Sequence, residues 1–147
     1  MNSDFKDLLR IFSDEQVEYL IVGAYAVIHY TQPRYTKDIV IWIKPSAENA
    51  QRVTRVFEKF GIPLIEVSQS DFESEGLQYL IGVSPCQIDF LTSLPGPADF
   101  AQAWDNRSTQ MSGGIEMQFL GKPDQITAKQ TAGRPQDLAD LDELNRV

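Results

Sequence analysis

Residues 35–44, YTKDIVIWIK, alternate with the two-residue period of a β-strand, and this constrains the chain more than any other stretch. Ile39, Ile41 and Ile43 share one face, while Asp38, Val40 and Trp42 share the other. A strand needs neighbours, and the sequence offers them in YLIV (19–22), PLIEV (63–67), LQYLIGV (77–83), QIDFLTS (87–93) and IEMQFL (115–120). Helical patterns are interleaved with these runs. Phe5, Leu8, Leu9 and Phe12 recur at i, i+3, i+4 and i+7 behind a Ser3 cap. A short helix, Ala24 to about Tyr30, follows Gly23. Ser46 caps a third helix bearing Ala50, Val53, Val56, Phe57 and Phe60, which Gly61 ends. Further helices are expected around 98–106 and from near Asp124 and Asp137. The expected order is α-β-α-β-α-β-β-β-α-β-α-α. It describes an α/β (α+β) fold: a mixed sheet flanked by helices, with parallel neighbours joined by helices. At 147 residues a single domain spanning 1–147 is the simplest organisation.

Charge narrows the function. Twenty-one acids against thirteen bases give a net charge of −8, which disfavours an extended nucleic-acid surface. A phosphate-bearing ligand at one site remains compatible, given a local cation or metal. The lone Cys86 rules out an internal disulfide and suits a reducing cytoplasm, and one His with one Cys cannot build a zinc site of the usual kind. No apolar run approaches the roughly 20 residues of a membrane span, and Met1 to Arg10 has no secretory character. A cytoplasmic protein is expected.

Three features converge on chemistry. Gly23 ends a strand and opens a helix, a turn that lets backbone approach a ligand beneath exposed N–H groups. Taken alone, such a turn is more often structural. Asp38 begins the next strand, and Asp89 lies amid the apolar residues of QIDFLTS. A carboxylate among apolar neighbours needs a cation, a metal or donors. Together the two strand acids and the glycine bend favour a metal-assisted phosphate site. The remaining residues have plainer readings. His29 reads as a hydrogen-bonded core histidine, Trp42 as core packing, Cys86 as a small buried hydrophobe and Lys37 as a solvated lysine. Arg34 reads as an ion-pair partner of Asp38 or Asp89 or a phosphate contact, and Arg134 with Asp137 as a capped helix turn.

YLIVGAYAVIHYTQPRYTKDIVIWIKPS, QIDFLTSL and AKQTAGRPQDLADL resemble segments of nucleotidyltransferases of the DNA polymerase β-like superfamily, within the bacterial AbiEii-like, minimal branch. The resemblance implies a nucleotidyltransferase fold and Mg²⁺-dependent transfer of a nucleoside monophosphate from an NTP to a hydroxyl acceptor, protein or RNA. It makes Asp38 and Asp89 the catalytic metal ligands and Gly23 and Ala24 the phosphate loop. Arg34 and Thr36 become the Arg-x-Thr-x-Asp loop, and Lys129 the residue facing the nucleotide. Two Mg²⁺ ions roughly 3.5–4 Å apart serve many such sites.

Two positions depart from the family pattern. Ala24 stands where Gly or Ser follows the first glycine, and Val40 occupies the second place of Asp-x-Asp. Valine ligates no metal, so the formal ligand charge drops from −3 to −2, enough for one Mg²⁺ with phosphates but not for two. Three accounts stand side by side: a member that binds nucleotide but transfers poorly, an acid supplied by Glu66, Asp71, Glu73 or Glu75, or an altered active parent. A different class of function stands beside them. This is a non-catalytic nucleotide-binding or protein-interaction protein on the same fold, of the regulatory or toxin–antitoxin type, with a protein partner or a homodimer.

Overall fold

The computed structural model describes residues 1, 3–31, 38–82, 87–97 and 99–147. In chain order its elements are α1 (Ser3–Asp14), β1 (Tyr19–Val22), α2 (Ala24–Tyr30), β2 (Ile39–Ile43) and α3 (Ala47–Phe60), then a 3₁₀ turn (Gln69–Glu73), β3 (Gln78–Ile81) and β4 (Ile88–Leu91). The chain continues through α4 (Phe100–Asp105), β5 (Ser108–Ser112), β6 (Ile115–Phe119), α5 (Lys122–Ala132) and α6 (Pro135–Asn145). The strands form one mixed sheet in the order β3-β4-β2-β1-β6-β5. β2–β4 and β1–β6 are parallel, whereas β1–β2, β3–β4 and β5–β6 are antiparallel.

The alternation seen in residues 39–43 is what separates the two sides of the sheet. Ile39, Ile41 and Ile43 join α1 and α3 in the larger core, with Phe5, Leu8, Leu9 and Phe12 from one helix and Val53, Val56 and Phe57 from the other. Phe90 sits at its centre, 6.4 Å from the Phe12 ring and 5.2 Å from the Phe57 ring. On the opposite side Trp42 and Val40 meet Leu20, Val22, Phe100 and Leu120. Ser46 caps α3 by accepting from the Asn49 amide, and Gly61 closes it at φ 89°. The Asn49 side chain, buried, accepts from the Glu18 amide and donates to the Glu18 and Lys44 carbonyls, pinning α3 to the ends of β1 and β2.

Four expectations need correction. Residues 63–67 form no strand: Pro63 has no N–H for a ladder, and Ile65 is 82% exposed. β5 is an additional strand, STQMS, paired with β6 across Gly113-Gly114, whose φ values of 58° and 79° suit a two-residue hairpin turn. β1 and β2 run antiparallel although the seven-residue α2 lies between them in the chain. Lastly, α1 already includes Ser3, so its cap is not Ser3.

Candidate functional site

β1 ends at Val22, and Gly23 then bends the chain into α2 with φ 70° and ψ −146°. Only glycine adopts that backbone region without strain of about 1–3 kcal/mol. Space is restricted too, since a Cβ built on Gly23 would sit 3.3 Å from Val40 Cγ2. Gly23→Ala is therefore expected to lower stability by about 2 kcal/mol, measured by urea unfolding. Val40→Ala in the same chain should relieve the contact but not the φ strain, so only partial recovery is expected.

The bend opens onto a cleft of about 300 Å³, lined by Gly23, Val40, Gln78, Asp89, Gln125 and Lys129 among others. Its walls are the ends of β1, β2 and β4 on one side and α5 with the start of α6 on the other. Gly96, at φ 115°, lets the segment after β4 press on α5, where a Cβ would come within 2.9 Å of the Ala128 backbone.

Asp137 of α6 lines this cleft, and so does the strand acid Asp89. Strand register sets it directly beside Val40. One carboxylate oxygen, Oδ2, accepts from Gln78 Nε2 at 3.0 Å, while Oδ1 is buried with no hydrogen-bond partner. Burial pushes the carboxyl above the ordinary aspartate range; the Gln78 hydrogen bond opposes this, and the Asp38 charge adds to it. Asp38 itself is exposed, immediately ahead of β2 and two residues before Val40. The two acids are thus within each other's field.

Lys129 also lines the cleft, but its ammonium is held by α6: Nζ lies 3.1 Å from Asp137 and 3.0 Å from Asp140. Asp137 accepts in addition from the Arg134 backbone N–H and from its Nε at 2.7 Å. Arg134 comes first in holding the Asp137 carboxyl down to about 2, with Lys129 contributing less. The capped turn read at Arg134 and Asp137 is present. It also places the exposed Arg134 on the rim of the cleft, a cation the sequence reading treated as purely structural. Ala24 follows Gly23 as the first residue of α2. Arg34 and Thr36 lie outside the described residues, as does Cys86.

The other singled-out residues take structural positions. His29 bonds Gln110 Oε1 through Nδ1 and Ser108 Oγ through Nε2, each at 2.9 Å, and stacks on Phe119; burial lowers its pKa. Trp42 packs edge-on against Phe100. Glu66, Asp71, Glu73 and Glu75 do not line the cleft. Asp71 caps its own 3₁₀ turn, which Phe72 anchors against Phe57 on the far side of the sheet. Among the described residues no group of three or more His, Cys, Asp or Glu side chains is arranged to hold a metal ion. None of their helices is long and apolar enough to cross a membrane.

A mixed six-stranded sheet flanked by helices, with a cleft at the glycine bend between its central strands, is here a nucleotidyltransferase fold. Two solved structures carry that conclusion. A provisionally assigned nucleotidyltransferase, TM1012 from Thermotoga maritima, superposes with a TM-score of 0.63 at 15% identity, over 97% of this chain and 91% of that one. The lincosamide antibiotic adenylyltransferase LnuA, with lincomycin bound, superposes with a TM-score of 0.58 at 16% identity, over 99% and 96%. Neither a protein-family profile nor a curated protein sequence matches the chain.

Proposed function

We propose that this protein binds a nucleoside triphosphate with a single Mg²⁺ in the Gly23 cleft, and slowly transfers the nucleoside monophosphate to a hydroxyl acceptor, breaking the α–β phosphoanhydride bond and releasing pyrophosphate and the hydroxyl proton. The observation that carries this reading is Asp89: a buried carboxylate oxygen without a partner, within the field of Asp38, in a cleft that opens on a glycine bend. An orphaned carboxylate oxygen costs stability unless something arrives to occupy it. A hard cation fits that need, and two carboxylates suit one Mg²⁺ completed by phosphate oxygens and water. When bound, the ion would neutralise charge on the triphosphate.

The chain's own residues have distinct tasks. Asp38 and Asp89 would hold the ion. The Gly23 backbone and the first amides of α2, beginning with Ala24, would receive phosphate oxygens, which a side chain at residue 23 would obstruct. Lys129, its charge offset by Asp137 and Asp140, would hold the α5–α6 wall of the cleft in place, and the exposed Arg134 at the rim would be the cation available to the phosphates. Arg34 and Thr36 are assigned to the same phosphate side on the family resemblance alone. Val40 favours a second reading, a nucleotide binder that does not transfer. It occupies the place beside Asp89 from which a further carboxylate would reach a second ion.

Asp89→Asn separates this site from mere structure. A carboxyl whose folded pKa is raised subtracts stability above that pKa and returns it as the pH falls through it. At pH 7 the neutral amide should therefore make the ligand-free protein more stable, by about 1 kcal/mol. The same change should abolish the thermal shift given by Mg²⁺ with a non-hydrolysable ATP analogue. A variant both less stable and fully responsive to Mg²⁺-nucleotide would remove Asp89 from the site.

A further inference from the structure

We infer that Gln125 is a specificity residue of the cleft, its side-chain oxygen accepting a hydrogen bond from a ribose hydroxyl of the bound nucleotide. This rests on the cleft being a nucleotide site, as proposed above. Gln125 lies on α5, 1% exposed, and lines the cleft. Its Nε2 donates to the Gly23 carbonyl at 3.4 Å. That contact fixes which way the amide faces, because the flipped amide would set oxygen against oxygen. Oε1 is therefore presented on the other side, where it is buried and has no hydrogen-bond partner. Among the described residues that line this cleft, Gln125 Oε1 and, on the facing wall, Asp89 Oδ1 are the orphaned acceptors.

The two orphans differ in what they attract. Asp89 is charged and lies in the field of a second carboxylate, which suits a cation. Gln125 is neutral and sits against the carbonyl of the phosphate-side bend. A phosphate oxygen has no proton to offer an amide oxygen and would be repelled by it. The donors a nucleoside triphosphate carries are its sugar hydroxyls and the groups on its base. A residue touching the bend reaches the part of the ligand next to the phosphates, which is the sugar. An acceptor buried to match a hydroxyl penalises an analogue lacking it, because the acceptor then stays unpaired.

The test measures binding of ATP, 2′-deoxy-ATP and 3′-deoxy-ATP with Mg²⁺ by calorimetry, on the wild type and on Gln125→Met. Methionine keeps the length and removes both polar atoms, so the unliganded variant should melt within about 5 °C of wild type. Wild type should bind ATP at least tenfold more tightly than one of the two deoxy analogues, and Gln125→Met should erase that preference. Equal wild-type affinity for all three nucleotides overturns the inference while leaving the nucleotide site standing. So does a preference that persists in Gln125→Met, or a variant that loses Mg²⁺ binding without nucleotide. A Gln125→Met protein that fails to fold is replaced by Gln125→Leu, to which the same outcomes apply. If the wild type binds no nucleotide with Mg²⁺, the functional reading fails and the inference fails with it.

Discussion

Lys129→Met should lower stability by about 3–5 kcal/mol, the range for removing one partner of a buried ion pair. Lys129 is 8% exposed and is flanked by Asp137 and Asp140, themselves buried. Without the ammonium, two carboxylates remain side by side in the α5–α6 interface, with Arg134 still supporting Asp137. The pH response should weaken as well. In the wild type the Asp137 carboxyl is held at about 2, below its unfolded value near 3.9, so its contribution is complete above about pH 4. That contribution is lost as the pH falls toward 2. In Lys129→Met the neighbouring Asp140 opposes ionisation, so the deficit against wild type should shrink on acidification. Urea unfolding at pH 7, 5 and 3.5 checks both parts. A loss under about 1 kcal/mol at pH 7 would mean that the lysine is not what holds α6 down.

Val40→Asp should give the largest change in activity, raising nucleotidyl transfer at least tenfold in a radiolabelled NTP assay, or about 1.4 kcal/mol in barrier. Val40 and Asp89 face each other on adjacent parallel strands, and strands lie about 4.8 Å apart. Aspartate is close to valine in size, so it should fit at position 40 beside the Gly23 bend without gross rearrangement. Three carboxylates would then converge, and without metal they repel one another in a partly desolvated place. The ligand-free variant should therefore be less stable than wild type at pH 7, by about 1–3 kcal/mol. Mg²⁺ should return more stability to it than to the wild type. Melting curves with and without Mg²⁺ test this independently of any acceptor. A variant indifferent to Mg²⁺ and no more active than wild type would indicate that the cleft is not a metal site, and would favour the interaction-protein reading.

Much of the fold was legible because it rests on local chemistry. The alternation at 39–43, the Ser46 and Gly61 caps and the Gly23 stop are each visible within a few residues, and each is found where the pattern puts it. What failed was also local evidence, but evidence that tertiary context outweighs. PLIEV has strand-like side chains, yet its proline and the exposure of Leu64 and Ile65 leave it irregular. STQMS has almost no apolar content, and pairing with β6 alone makes it a strand; its one advance signal was Gly113-Gly114. Gln125 gave no signal at all, since a polar residue in an ordinary helix becomes notable only when its neighbours bury it without a partner.

By itself the sequence determined the α/β class, the glycine bend, one acid beside the start of β2 with another within β4, and the absence of a second acid at Val40. These follow from side-chain period, backbone permissiveness and residue identity, all of which act within one element. Only the tertiary structure decided that Asp38 influences Asp89, that Lys129 is bound by two carboxylates of α6, that Glu66, Asp71, Glu73 and Glu75 do not line the cleft, and that Gln125 lines it. Those are relations between elements far apart in the chain. Their energies depend on burial and on which groups share a low-dielectric space, which strand register and helix packing set and no single segment encodes.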